Sequence, residues 1–262
     1  MGIVNLSADS FSGDGFSEVG AALERAREQV AAGADIIDVG AESARTNRGP
    51  IAPEDEIDRL LRFIEGWKNS GNVTGPTLLS LNTWRPEVVR AVLPRGGDLL
   101  NDIGGLATDE NARLCAAHGT ALVIMHTVGE PKVPHTHVAY DDVMQRVGSF
   151  FEEKIAFAVR AGLPREAIIL DPGIDFAKQR DDNLRIYREL TAFHCFERPL
   201  LLPVSRKTVI GDVLGIPAPE RDAGTVACIV AAQLRGAQIL RVHNVRAASQ
   251  AVRMVEAIES AV

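Results

Sequence analysis

Eight short apolar runs, each ending in a polar residue and followed by a helical pattern, constrain the fold of this chain most strongly. Parallel strands that are buried on both faces are typically continuous apolar runs of this kind. Eight strand–helix units in 262 residues are what a (β/α)8 barrel of about 250 residues requires. The sequence therefore predicts a TIM barrel that forms one domain over residues 1–262. The runs are residues 1–5, 35–40, 78–83, 98–102, 121–126, 167–173, 200–207 and 238–243.

The apolar spacing also sets approximate element boundaries. The first helix has apolar residues every three or four positions, and the second begins at Pro53 with three acidic residues where the helix dipole favours them. Strands are predicted at 2–5, 35–39, 77–81, 98–101, 121–125, 167–170, 199–204 and 238–242. Helices are predicted at 17–32, 53–69, from 86 onward, and at 109–118, 140–161, 181–193, 220–235 and 245–258.

Composition and charge exclude several classes of protein. No run approaches the roughly 18 apolar residues of a membrane span, and we expect no signal peptide, because no basic segment precedes a long apolar core at the start. The net charge of −7 argues against a nucleic-acid-binding surface. Cys115, Cys195 and Cys228 are too scattered for a disulfide framework or a zinc site. We interpret them as buried helix residues of a protein in a reducing cytoplasm.

The polar residues that end the strands predict where the active site lies. In a (β/α)8 barrel, catalytic groups lie at the carboxyl ends of the strands. Any one of these residues could simply cap a turn or satisfy loop backbone groups. Capping has no reason to recur at every strand, so eight converging positions favour a site. The residues are Asn5, Asp38, Asn82, Asn101, His126, Asp171, Lys207, and Arg241 with His243.

One part of this ring suits a flat heterocycle. The Asp171 carboxylate can accept two N–H bonds, and the Asn101 amide can both donate and accept, which matches a 2-amino-4-oxo edge. Lys207 adds a donor for a ring carbonyl or nitrogen. Arg206 could stack on an aromatic ring or bind a carboxylate.

Another part of the ring suits an anion. Arg241 and His243 are two residues apart on one strand and should face the same side. With Asn5 across the mouth, they suit a phosphate or pyrophosphate, and barrels commonly bind phosphate after strands 7 and 8. His243 could alternatively be a hydrogen-bonded histidine at a strand end. The polar loops at 9–12 and 42–45 could be active-site lids or solvated loops, and the residues alone leave this open.

Seven ordered motifs across nearly the whole chain closely resemble those of the dihydropteroate synthase family. Each is similar to a family pattern, for example D-P-G-x-G-F-G-K for the fifth and S-R-K-S-x-I-G for the sixth. The motifs are MGIVNLSADSFSGDG, DIIDVGAESAR, LSLNTWRPEV, LLNDIGGL, DPGIDFAK, SRKTVIG and RVHNV.

The resemblance implies an activity and a site. The family condenses 6-hydroxymethyl-7,8-dihydropterin pyrophosphate with p-aminobenzoate to 7,8-dihydropteroate, releases pyrophosphate, and is a sulfonamide target. The implied catalytic residues are Asn82, Lys207, Arg241 and His243. The implied substrate-binding residues add Asn5, Asp38, Arg45, Asn101, Met125, Asp171 and Arg206. Arg206 and the second loop, with Arg45, would lie near p-aminobenzoate, and Phe11 would lie in the first loop.

The implied reaction depends on stabilising the leaving group and does not require a strong general base. Departure of pyrophosphate leaves cationic character on the CH2 attached to the pterin. Mg²⁺ near Asn5, together with Arg241 and His243, would stabilise the departing anion. Positioning of the attacking amine should contribute much of the remaining acceleration.

The chain departs from the family patterns at several positions, and Asn82 is the most consequential. The family has Asp there, which could stabilise the cationic pterin. Its replacement could lower the rate by roughly ten- to hundredfold. The other departures are Asn244 for Asp, Asp175 and Ala177 for two glycines, Ala44, Thr46 and Asn47 in the second loop, and Gly13 with Asp14 in exchanged order.

Two alternative functions follow from these departures and from the fold. One is a non-catalytic or altered-substrate pterin-binding paralogue, for which Asn82 is the best argument. The other is a methyltetrahydrofolate-dependent corrinoid methyltransferase, against which the paired Arg241 and His243 count. The resemblance further implies a homodimer through the seventh and eighth predicted helices, whose apolar residues mostly cover the barrel.

Overall fold

The computed structural model describes residues 1–6, 15–42, 49–69, 77–133 and 138–261, with only the backbone for 15–18. Strands and helices alternate along these ranges. The strands are β1 Gly2–Asn5, β2 Ile36–Gly40, β3 Leu78–Asn82, β4 Leu99–Asp102, β5 Ala121–Met125, β6 Ile168–Asp171, β7 Leu201–Pro203 and β8 Ile239–Arg241. The helices are α1 Gly15–Ala31, α2 Pro53–Asn69, α3 Pro86–Val92, α4 Glu110–His118, α5 Val143–Arg160, α6 Arg180–Arg188, α7 Thr208–Leu214, α8 Asp222–Gln233 and α9 Val245–Glu259.

All eight strands are parallel and close into a barrel, as predicted. Strands β1 to β6 pair in chain order as one sheet, and β7 pairs with β8. Single bridges join the two sheets, between Leu170 and Leu200 on one side and between Gly2 and Val242 on the other. The Leu170 N–H donates to Pro199 O at 2.9 Å, and the Val242 N–H donates to Met1 O at 2.9 Å.

Side-chain alternation along each strand places the polar residues inside the barrel. One face of each strand meets the helices, and the other points into the interior. Six apolar side chains pack against one another inside the barrel: Met1, Ile36, Leu99, Val123, Ile169 and Leu201. Two residues further along the corresponding strands are Asp38, Asn101, Met125 and Asp171. Their side chains therefore lie one level above this apolar floor, at the mouth.

The helix-facing residues form a separate, larger core that includes Ile37, Leu81, Leu100 and Leu170. Helix α5 contributes Phe151 to it, which is fully buried. Its ring meets the rings of Phe193 and Phe196 edge to face, with centroids 5.3 and 5.7 Å apart.

Several predicted boundaries were wrong by one to three residues. Strands β2, β3, β4 and β6 each end one residue later than predicted, so Asn82 and Asp171 are the last residues of strands rather than loop residues. Helix α5 starts at Val143 instead of 140, because the Asp142 carboxylate accepts hydrogen bonds from the N–H groups of Met144 and Gln145 and caps it there.

The helical region after β6 also differs from the prediction. Helix α6 stops at Arg188, and a 3₁₀ helix, Leu190–Phe196, replaces the last part of the predicted helix. Helix α7 was not predicted at all. It has seven residues, which are too few to give a readable apolar period, and Gly215 in the left-handed conformation follows its last residue.

The cysteines are unpaired, as expected, but they are not all buried. Cys115 is buried, Cys228 is half-buried, and Cys195 is exposed in the 3₁₀ helix. In the described parts of the chain, no helix is both long and apolar enough to cross a bilayer.

The packing of Phe151 predicts a stability effect. Phe151→Ala should lower the free energy of unfolding by about 3–5 kcal/mol, because it removes a fully buried ring and leaves a cavity. Val159→Ala, at a side chain on the same helix that is 43% exposed, is the matched control and should cost less than about 1 kcal/mol. Urea unfolding of both variants tests this, and equal losses would contradict it.

Candidate active site

A fully buried carboxylate, Asp38, organises one side of the barrel mouth. Four side chains from three other strands donate to it: Ser80 Oγ at 2.6 Å, Asn82 Nδ2 at 3.1 Å, Asn101 Nδ2 at 3.3 Å and Arg241 Nε at 2.7 Å. Burial alone would raise the pKa of Asp38, but the Arg241 guanidinium and the hydrogen bonds from Ser80 and Asn82 outweigh it and lower the pKa. Asp38 is therefore an anion that holds other groups in place.

The Asp38 network leaves Asn101 ready to bind a ligand. Its Nδ2 is committed to Asp38, whereas its Oδ1 is buried and has no hydrogen-bond partner among the described residues. A buried oxygen without a partner costs free energy. A ligand with an N–H at this point would remove that cost.

Asp171 lies two strands beyond Asn101, at the end of β6. Its side chain is 2% exposed, and Oδ1 accepts a hydrogen bond from the Gly173 N–H at 2.7 Å. Burial raises the pKa of Asp171 to about 6, against the lowering effects of the Gly173 N–H and of the charges of Lys207, Lys178 and Arg241. Met125, also buried, is its register partner on β5.

Lys207 extends toward the loop that follows Asp171. Its Nζ donates to Ile174 O at 2.8 Å and lies 5.0 Å from the centroid of the Phe176 ring. Burial lowers the pKa of Lys207, and the charges of Asp175 and Asp171 act in the opposite direction. Asp171 and Lys207 therefore belong to one cluster, as the sequence predicted.

Arg241 and His243 both face the mouth, but they are held by different partners. Arg241 on β8 reaches past β1 to Asp38 on β2, whereas His243 Nδ1 lies 2.9 Å from Oγ of Ser205, which follows β7. Asn5 is exposed at the end of β1, beside Gly40 of β2. The guanidinium, the imidazole and this amide are placed to meet an anion at the mouth.

Arg206, predicted to lie near p-aminobenzoate, follows the end of β7. It is exposed, and its guanidinium forms an ion pair with Asp222 at 2.9 Å. Asn244 caps helix α9 and also donates to Asp222, at 3.4 Å. An aspartate at position 244 would instead repel Asp222, so the Asn fits this arrangement.

The flanks of the second loop are held by buried ion pairs. Glu42 pairs with Arg85 at 2.6 Å and with Lys132 at 2.7 Å, and Arg85 also pairs with Glu56 at 2.8 Å. Lys132 further donates to Gly49 O at 2.8 Å. Arg45 and Phe11, which the resemblance places in the two loops, lie outside the described residues.

Sequence reasoning missed three residues that shape the site, Ser80, Ser205 and Lys178, the last of which contacts the predicted His126. Ser80 holds Asp38, and Ser205 holds His243. Each serine is two residues from a strand residue, Asn82 or Pro203, and this spacing could have indicated that it faces the interior. Lys178 and His126 form a buried pair, with Nζ 2.8 Å from Nδ1. Burial, followed by the charge of Lys178, lowers the pKa of His126 to about 2, so the imidazole is neutral.

The described residues contain no group of three or more His, Cys, Asp or Glu side chains that could hold a metal ion. Asp38 is already saturated with protein donors, which leaves the exposed carboxamide of Asn5 as the predicted ligand. Mg²⁺ commonly binds through one or two protein oxygens plus water and substrate phosphates. The residues present fit an ion held mainly by a bound phosphate.

The raised pKa of Asp171 predicts a pH-dependent stability effect. Between the ordinary value of 3.8 and the folded value of about 6, the folded protein keeps a proton that the unfolded chain releases. This contribution is therefore fully present below pH 3.8 and is lost as the pH rises through 6. Asp171→Asn lacks this titration. Its free energy of unfolding relative to the wild type should therefore rise by on the order of 2–3 kcal/mol as the pH increases from 4 to 7.

Urea unfolding of the wild type and Asp171→Asn at both pH values measures this difference. Asp212→Asn, at an exposed carboxylate, should show no such gain. An equal difference at the two pH values would contradict a raised pKa.

Comparison with known proteins identifies the family. The family model for pterin binding enzymes matches residues 1–243. The dihydropteroate synthase of Escherichia coli (strain K12) is 37% identical over 262 residues, which cover 100% of this chain and 92% of that protein. The dihydropteroate synthase of Bacillus subtilis (strain 168) is 35% identical, and the alignment covers 98% of this chain and 87% of that protein.

Solved structures agree with this result. Yersinia pestis dihydropteroate synthase in a sulfonamide complex superimposes with a TM-score of 0.91, 35% identity and coverage of 100% of this chain and 94% of that chain. The Xanthomonas albilineans enzyme with 7,8-dihydropteroate gives a TM-score of 0.87 at 32% identity, with the same coverage. The chain belongs to the pterin-binding enzyme family, among the dihydropteroate synthases.

Proposed function

We propose that this chain condenses 6-hydroxymethyl-7,8-dihydropterin pyrophosphate with p-aminobenzoate to form 7,8-dihydropteroate and pyrophosphate, in folate biosynthesis. The observation that carries the proposal is the single cluster at the mouth. It combines Asn101 Oδ1, which has no partner in the described parts of the chain, the Asp171 carboxylate and the Lys207 ammonium on one side with Arg241 and His243 on the other. The full-length similarity to dihydropteroate synthases supports it.

The pterin ring would bind deep in the mouth. Its N–H groups would donate to Asp171 and to Asn101 Oδ1, and Lys207 would donate to a ring acceptor. Lys207 is already oriented by Ile174 O and by the Phe176 ring. Such prior orientation reduces the loss of conformational entropy on binding.

The leaving group would bind at Arg241, His243 and Asn5. Arg241 is fixed by Asp38 through Nε, and His243 is fixed by Ser205. Groups that are already oriented stabilise the developing negative charge without reorganising during the reaction. The p-aminobenzoate amine then attacks the CH2 carbon while the C–O bond to pyrophosphate breaks, and the amine proton leaves to solvent.

The synthase is tested by turnover. Purified protein with the pterin pyrophosphate, p-aminobenzoate and Mg²⁺ should release pyrophosphate and form dihydropteroate. Arg241→Ala should lower kcat by roughly a hundredfold or more, because it removes a charged donor to the leaving group and leaves Asp38 buried without its cation. Pterin binding without turnover at high enzyme concentration would instead support the non-catalytic paralogue. Methyl transfer from methyltetrahydrofolate to a corrinoid would support the methyltransferase.

Asn82 predicts a rate increase when the family residue is restored. Asn82→Asp should raise kcat roughly ten- to hundredfold, because a carboxylate can stabilise the cationic pterin. It should also lower the free energy of unfolding, because the new carboxylate would lie about 3.1 Å from the Asp38 carboxylate in place of an N–H donor.

Steady-state kinetics and urea unfolding measure the two effects. Asn101→Asp is the matched control, since it adds the same charge beside Asp38 and should lower activity. If Asn82→Asp leaves kcat unchanged, the amide at position 82 is not what limits the rate.

Mg²⁺ is the implied metal, and Asn5 would hold it together with pyrophosphate oxygens. When bound, the ion would supply Lewis-acid stabilisation of the leaving anion. One amide ligand binds Mg²⁺ weakly, so Mg²⁺ alone should leave Tm unchanged, whereas Mg²⁺ with pyrophosphate should raise it. EDTA should abolish turnover. A rise in Tm with Mg²⁺ alone would indicate a preformed protein site instead.

We further infer a cytoplasmic location, which is in keeping with the three free cysteines.

We also infer a homodimer through α8 and α9. Leu234, which directly follows α8, is 54% exposed, and Met254 and Ile258 on α9 are 60% and 58% exposed. Large exposed apolar side chains favour an interface. Met254→Asp should convert a dimer to a monomer in light scattering, whereas Leu184→Asp, on α6, should not. A monomeric wild type would exclude this dimer.

A further inference from the structure

The loop between β6 and α6, residues 172–179, is wrapped around a buried ammonium group. Lys178 Nζ donates to Gly173 O and Phe176 O, both at 3.0 Å, and contacts His126 Nδ1. Asp175 and Ala177 adopt positive φ angles of 69° and 50°. The family motif has glycine at both positions, which adopts such angles without strain. Asp also tolerates this conformation, whereas Ala is disfavoured.

Asp175 does more than tolerate its backbone conformation. Its carboxylate accepts hydrogen bonds from the N–H of Thr208 and from the N–H of Val209, the latter at 3.2 Å. Asn183 also holds the backbone of Asp175, since the Asp175 N–H donates to Asn183 Oδ1 at 2.9 Å. One side chain therefore links this loop to the two residues that follow Lys207, across more than 30 positions of sequence. Glycine at position 175 could not form this link.

Three consecutive residues of the loop thus surround Lys207. Ile174 accepts its Nζ hydrogen bond, Asp175 fixes the backbone just after it, and the Phe176 ring lies beside the ammonium. We propose that Asp175 is a positioning residue, which holds Lys207 in its orientation at the mouth by binding the backbone N–H groups of Thr208 and Val209. The consequence for substrate rests on the proposed function, in which Lys207 contacts the pterin.

Asp175 also contributes to the charge environment of Lys207. The charged groups that act on Lys207 come from three elements: Asp171 on β6, Asp175 and Lys178 in the loop, and Arg241 on β8. Burial lowers the pKa of Lys207 most, and the Asp175 carboxylate is the first of the charges that raise it. Removing that carboxylate should therefore lower the pKa of Lys207 further.

The test compares Asp175→Asn and Asp175→Gly with the wild type. Asn keeps one acceptor and tolerates the positive φ, whereas Gly removes the side chain but relieves strain. Asp212→Asn, on α7, removes an exposed charge nearby and is the matched control. The pKa of Lys207 is read from the pH dependence of its acetylation by acetic anhydride, followed peptide by peptide with mass spectrometry. This readout needs no turnover.

Both Asp175 variants should move the midpoint of Lys207 acetylation to lower pH, and Asp212→Asn should leave it in place. In turnover assays, Asp175→Gly should raise the KM for the pterin pyrophosphate about tenfold, with a smaller rise for Asp175→Asn. The alkaline limb of kcat/KM should move to lower pH in both.

An unchanged acetylation midpoint in both variants would overturn the proposal, as would a loss of Tm with no change in midpoint or KM. The latter outcome would indicate a purely structural role for Asp175. If the wild type gives no turnover but the midpoint shifts as expected, the proposed reaction fails while the positioning of Lys207 by Asp175 stands.

Discussion

The buried Asp38 carboxylate is the interaction on which the rest of the site depends. A carboxylate out of contact with water costs several kcal/mol unless charged and hydrogen-bonding partners compensate. Here β3, β4 and β8 each direct donors to it. This requirement fixes the orientation of Asn101 and Arg241 before any substrate arrives. The two halves of the mouth, one for a flat ring and one for an anion, are therefore coupled through a single buried charge.

Two of this chain's departures from the family patterns alter the charge around that centre. Asn82 donates a hydrogen bond to the Asp38 carboxylate, where two carboxylates would otherwise compete for a proton. Asp175 adds a carboxylate beside Lys207, at a position where the family motif has glycine. Through these two departures, one acidic group is lost beside Asp38 and one is gained beside Lys207.

Much of this site could be predicted from sequence because strand ends and side-chain alternation are local properties. The barrel, and the grouping of Asp171 with Lys207, followed from apolar runs that end in polar residues. What could not be predicted depended on partners distant in the chain. Arg241 reaches Asp38 across 203 positions, and Arg206 forms an ion pair with Asp222, the first residue of α8. Helix α7 was missed because seven residues are too few to show a period.

The floor of six apolar side chains affects the order in which substrates bind and products leave. Because those side chains pack together beneath the polar level, a molecule would reach that level from the carboxyl ends of the strands. Two reactants that meet at this level enter from the same end of the barrel, so the one that lies deeper has to bind first. The same geometry governs exit, so whatever leaves last has been held nearest the floor.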